Sequence, residues 1–250
     1  MKKNEPRRSA GILLVVFIIF VECVQIPNAW ATAPQEFAGI WKLARPSSLL
    51  KTDDGGLPPL LSSAQQIYKQ NLKARKNGDT TFDGTGKCLP PGIPRLLLMS
   101  KFQLVPAKDL LGIFYEWNHT VRFIYFENLH ETNSMGYTLY LGNSIGRWDT
   151  DGFVVDTIES DESTLLDSAM PHSSALHLTE RYLLADKGKT LLVRVTIDDA
   201  GTFSHPWSTT LRFSRQAANM EIKEDVCTDR LGLIPSITGA VPKKGLTNSP

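Results

Sequence analysis

Short apolar runs separated by turn residues recur from Leu96 to Val226, and this texture limits the chain to a narrow set of folds. Strands are predicted near Leu96–Val105, Gly112–Trp117, Val121–Phe126, Gly136–Leu141, Ile145–Asp149 and Phe153–Ile158. More are predicted near Ala175–Leu184, Thr190–Asp198, Ser208–Arg215 and Met220–Val226, with an earlier one at Phe37–Leu43. Asn118-His119 and Asp149–Gly152 read as tight reversals. Strands and helices do not alternate, which disfavours a doubly wound α/β sheet. Many closely spaced strands point instead to an all-β antiparallel sandwich or barrel. One helix stands apart from the strands, from Ser62 or Ser63 as N-cap to about Asn77. Its apolar stripe holds Ala64, Tyr68 and Leu72, and Gly78 is the stop signal.

The ends of the chain have a different character. Lys2, Lys3, Arg7 and Arg8 precede an apolar run from Ala10 to Val21, and Ala29-Trp30-Ala31 and Ala31-Thr32-Ala33 are small-x-small cleavage patterns. Residues 1–33 are therefore expected to be a signal peptide, with a retained anchor as the alternative; the run is short of the roughly 20 residues a span needs. The β domain is expected over 34–230, and 231–250 as a flexible tail. The expected location is periplasmic or secreted, with no stable membrane span after cleavage. The whole chain carries 27 basic and 26 acidic residues, too balanced for a nucleic-acid binder. Signal removal also takes Cys23 and leaves Cys88 and Cys227, a disulfide candidate in an oxidising compartment. Two free buried thiols are the alternative, because spacing alone does not bring the sulfurs within reach.

Period-2 alternation selects the polar residues of interest. Glu180 shares a face with Leu176, Leu178 and Tyr182. Asp156 lies between Val154 and Ile158, and Glu116 follows the apolar Gly112–Tyr115 run. A carboxylate in an apolar row is costly unless paired, and Arg122, Arg194 and Arg212 are candidate partners. Facing inward, such groups would make a polar floor in an apolar cavity.

Four stretches taken together resemble a known family. They are Cys88-Leu-Pro-Pro-Gly-Ile-Pro-Arg95, then Ser144-Ile-Gly-Arg-Trp148 leading to Phe153-Val-Val-Asp-Thr157, then Pro171-His-Ser-Ser-Ala-Leu-His-Leu-Thr-Glu-Arg181, and finally Thr196-Ile-Asp-Asp199 with Pro206-Trp207. Together they look like a family of secreted proteobacterial proteins of uncharacterised activity, over roughly residues 34–227. The Phe37-x-Gly-x-Trp41 opening is also similar to the start of lipocalin-type barrels. The fold expected is thus a lipocalin-like antiparallel barrel of about eight to ten strands with one N-terminal surface helix.

Three functions follow as expectations. The first is binding of a small, largely apolar ligand in the barrel, with Glu116, Arg122, Tyr125, Asp156, His177, Arg181 and Arg194 as candidate contacts. The second is acid–base chemistry with His172 or His177 as base, oriented by Asp156, Asp167 or Glu180. The third is a structural or interaction module of the envelope. No cofactor is expected, since neither a phosphate-cradling glycine loop nor a dinucleotide fingerprint occurs. Nor is a metal site expected, since His177 and Glu180 fall on opposite strand faces. The partner expected is a small molecule, and oligomeric state is left open.

Overall fold

The computed structural model describes residues 33–126, 137–149 and 152–232. The signal-peptide reading and most of the tail lie outside these residues, as do the central residues of the turn at Asp149–Gly152. Among the described residues, nine strands close into a barrel in chain order, β1 to β9. They are β1 (Gly39–Leu43), β2 (Phe102–Pro106), β3 (Leu110–Tyr115), β4 (Val121–Phe126), β5 (Asn143–Asp149), β6 (Gly152–Ile158), β7 (His177–Ala185), β8 (Thr190–Asp198) and β9 (Trp207–Arg215). The all-β barrel is therefore present, but its pairing is mixed. β4 and β5 run parallel, with Tyr125 opposite Ile145 and Phe126 opposite Gly146, while every other neighbouring pair is antiparallel. A parallel pair needs a return connection, which is why Gly136–Leu141 is no strand: its described part is turn and a single bridge at Leu139.

Among the described residues, four α-helices accompany the barrel: α1 (Ala33–Phe37), α2 (Ser62–Lys76), α3 (Arg95–Met99) and α4 (Cys227–Arg230). The expected α2 is present, though its N-cap is Leu61 without a side-chain bond, and neither Ser62 nor Ser63 serves. The predicted strand at Leu96–Val105 divides instead. Its first part is α3, whose Leu96 and Leu97 are buried, and only Phe102 onward is strand. An apolar run of that length suits either state, and burial decides. The Met220–Val226 segment is irregular. It is tied down by Cys88–Cys227, a disulfide with Cα atoms 5.7 Å apart across 139 residues.

The strand directions send the three longest described connections, 44–101, 159–176 and 199–206, to one end of the barrel. There α2, α3 and the buried Leu166, Ala169 and Met170 form a cap continuous with the barrel core. Inward positions below it hold Trp41, Phe102, Tyr115, Phe153, Tyr182 and Phe213, each under 2% exposed. Gly146 makes room for this filling. A Cβ there would sit 2.3 Å from the Phe153 ring and 2.8 Å from Ile124. Aromatic side chains thus occupy much of the lumen that the sequence suggests is hollow.

Candidate functional site

Two polar arrangements stand out, one inside the wall and one beside it. Inside, β4 and β7 turn Arg122 and Glu180 toward each other. Arg122 Nη1 donates to Glu180 Oε1 at 3.1 Å and Nη2 to Oε2 at 2.5 Å. The same guanidinium donates to Ser144 Oγ and, at 2.7 Å, to Thr157 Oγ1. Tyr182 donates its hydroxyl to Glu180 Oε1 at 2.9 Å. Burial works against the Arg122 charge, yet Glu180 more than offsets this and holds its pKa above the ordinary value. Burial also raises the hydroxyls of Tyr115 and Tyr182. Arg122 and Glu180 are 2% and 0% exposed, so this ionised pair is closed off from solvent. Its chemistry is mutual neutralisation in a low-dielectric core, which fixes the register of β4, β5, β6 and β7 against one another.

The other candidates are not brought to that pair. Asp156 and His177 point outward, where His177 Nε2 lies 3.2 Å from Asp156 Oδ1 and Arg147 and Thr179 bond the same carboxylate. Burial alone would raise the Asp156 pKa, but these bonds hold it below the ordinary carboxylate value. The inward placement of Asp156 and His177 is therefore corrected. Alternation separates the two faces of a strand but does not say which is inside, and Val154, on the outer face with Asp156, is only 1% exposed. It is flanked in register by Arg147 and Arg181, whose aliphatic stems suit such a covering role. Tyr125, on the same outward phase of β4 as Phe123, is half-buried. Arg181 pairs with Asp149 at 2.6 Å and Arg194 with Asp53 at 3.2 Å, both outside. Glu116 also lies outside the lumen, bonded to Lys101 and to the backbone N–H of Lys223.

His172 and Asp167 belong to the cap and do not meet. His172 Nδ1 lies 2.9 Å from the Ser173 carbonyl, and Nε2 lies 2.8 Å from Thr164 Oγ1. The Ser173 carbonyl can only accept, so Nδ1 carries a proton toward it, while Thr164 Oγ1 is shared between Nε2 and the Asp161 carbonyl, to which it donates at 2.8 Å. Burial pushes the His172 pKa down and favours the neutral imidazole. Asp167 accepts instead from the N–H groups of Leu50, Ala169 and Met170 at 3.0, 2.8 and 2.8 Å. Burial raises its pKa, and burial with the nearby Asp167 charge pushes Tyr68 up to about 12. Neither Asp167 nor Glu180 orients a histidine. Among the described residues, no group of three or more His, Cys, Asp or Glu side chains is placed to hold a metal ion.

The second arrangement was not legible as a site. Residues 44–61, a loop rich in Pro and Gly, form a strap that leaves β1 and crosses the flank of β9. Ala44 N–H bonds the Arg212 carbonyl, Asp53 N–H bonds the Ser208 carbonyl, and Leu61 N–H bonds the Thr202 carbonyl. Between the first two anchors the strap arches away. A cleft of about 750 Å³ lies beneath it, walled by Leu43, Leu49, Leu50, Leu98 and Leu211. Arg45, Lys51 and Arg212 line it with Asp53. Arg212 is engaged by Asp186 and Asp53 by Arg194, whereas Arg45 and Lys51 have no partner among the described residues. The charge left over is positive. Leu49-Leu50 between two cations is the sequence trace of this cleft, but it is too short to separate from an ordinary loop.

Arg95 and Asp83 complete the surroundings. Arg95 meets Asp83 at 2.8 and 2.6 Å beneath α3, and Arg75 joins from α2. Burial alone would raise the Asp83 pKa, but the two guanidiniums hold its carboxyl well below the usual range. Among the described residues, no helix is long and apolar enough to cross a membrane. No protein-family model matches the chain, and no curated protein matches it.

Proposed function

We propose that this protein is an exported binding protein that takes a small, largely apolar molecule with an anionic end. The site is the cleft between the strap and β9. The observation that carries this reading is the combination of five leucine walls with two unpartnered cations in a cleft of about 750 Å³, within the size range of small-molecule sites. The N-terminal basic and apolar segments and the Cys88–Cys227 disulfide support export. The ordered motifs between Cys88 and Trp207 support membership of the secreted proteobacterial family they resemble. The test is titration with a dansyl-labelled fatty acid, followed by its fluorescence. Leu98→Trp, which fills the cleft from α3 without entering the lumen, is expected to weaken binding about tenfold or more. Equal binding by the variant overturns the assignment.

Acid–base chemistry has one observation in its favour: the accessible His177–Asp156 contact at 3.2 Å. It would be carried by turnover that vanishes in His177→Ala.

A further inference from the structure

The β9 edge inside the cleft carries an unused main-chain position. Along a strand, the N–H and C=O of successive residues point alternately to opposite neighbours. The Ser208 and Arg212 carbonyls both accept from the strap, at 3.0 and 2.8 Å, while Arg215 N–H turns to the other side and bonds Lys189. Thr210 has the parity of Ser208 and Arg212, so its N–H and C=O face the cleft. β1 pairs with β9 only from Trp41–Arg215 to Leu43–Phe213, and the strap arches away before it reaches Thr210. Neither backbone group of Thr210 has a protein partner among the described residues. The site thus offers one donor and one acceptor in strand geometry, among leucines, with Arg45 and Lys51 beside them.

Resting on the cleft-binding reading above, we infer that the ligand is peptide-like: a short extended peptide with apolar side chains and a free carboxylate. One amino-acyl residue has the N–H and C=O that complement Thr210, since directly opposed residues of an antiparallel pair exchange both bonds. Its flanking side chains meet Leu43, Leu50, Leu98 and Leu211, and its carboxylate meets the two unpartnered cations. A plain acyl chain has the apolar body and the charge, but laid over the exposed Thr210 edge it displaces water from the N–H and C=O and partners neither, which is unfavourable.

The probes are a dansyl-labelled trileucine peptide with a free carboxylate, the same peptide N-methylated at its central residue, and a dansyl-labelled fatty acid of similar size. The inference expects the unmodified peptide to bind best and N-methylation to weaken it about tenfold, the cost of one hydrogen bond left unmade once the ligand covers the strand edge. Hydrogen exchange supplies a second readout: the Thr210 amide is expected to become protected only with the unmodified peptide. Fatty-acid binding as tight as peptide binding, with no effect of N-methylation, overturns the inference and leaves the cleft reading standing. Failure of all three probes to bind overturns both.

Discussion

Arg122 and Glu180 meet end to end inside the barrel, with Nη1–Oε1 and Nη2–Oε2 distances of 3.1 and 2.5 Å and no solvent contact for the carboxylate. A pair this deep is held together by the cost of separating it. Glu180→Ala leaves the guanidinium charge without its counter-ion in the core. It is expected to destabilise the fold by about 3–5 kcal/mol, read from urea unfolding. The double replacement Arg122→Met with Glu180→Leu removes both charges and is expected to cost less than Glu180→Ala alone. A larger loss in the double variant would contradict the view that desolvation dominates this pair.

Gly146 marks where the lumen is full. A methyl group there approaches the Phe153 ring to 2.3 Å. Gly146→Val is therefore expected to lose about 1–3 kcal/mol by overpacking, measured by denaturant unfolding. A neutral result would mean that space remains beside Phe153.

The pH dependence has a sign fixed by His172. Its folded pKa lies below the ordinary histidine value because burial disfavours the imidazolium. The unfolded chain therefore takes up the proton first. Stability is full above about pH 6.5 and falls as the pH drops toward the folded pKa, with a slope of at most about 1.4 kcal/mol per pH unit. His172→Gln should flatten this decline, as measured by unfolding at a series of pH values. Asp167 acts in the opposite sense, because its raised pKa makes acidification favour the folded form. Asp83, Asp156 and Asp199 have lowered pKa values and contribute stability that is lost only below about pH 4.

Much of the barrel could be read directly from the chain. β8 runs from Thr190 to Asp198 and β4 from Val121 to Phe126, as alternation and turn residues indicate. Glu180 in its apolar row was likewise legible, since an inward carboxylate requires a cation, but the sequence left that cation open among Arg122, Arg194 and Arg212. Three features were not legible. Alternation is symmetric between the faces of a strand, so Asp156 and His177 read as inward when they are outward. The parallel β4–β5 pair depends on a long-range return that no local pattern encodes. The cleft at Thr210 exists because β1 is too short to cover β9, which is a property of two strands distant in sequence.

Reduction of Cys88–Cys227 releases a loop of 139 residues. Cys88→Ser with Cys227→Ser is expected to lose up to about 4–5 kcal/mol in the chain-entropy view. It should also free the segment whose Asp225 accepts from Asn118 N–H and whose Cys227 N–H bonds Asn118. Hydrogen exchange in residues 217–227 is the matching measurement, with faster exchange expected in the variant.

The electrostatic part of the cleft is testable by salt. Arg45→Ala and Lys51→Ala are each expected to weaken an anionic probe a few-fold. They should also reduce the dependence of binding on ionic strength, because exposed cations act through screened interactions. A neutral probe of the same shape should be insensitive to both substitutions.

The most direct test of the account is an amide-resolved NMR titration of the labelled protein with the dansyl-labelled trileucine peptide. Binding in the cleft predicts shifts confined to Leu43–Asp53, Leu98 and Thr209–Arg212, with Arg122, Glu180 and Tyr182 unmoved. Shifts centred on those three lumen residues, with the strap silent, would contradict it.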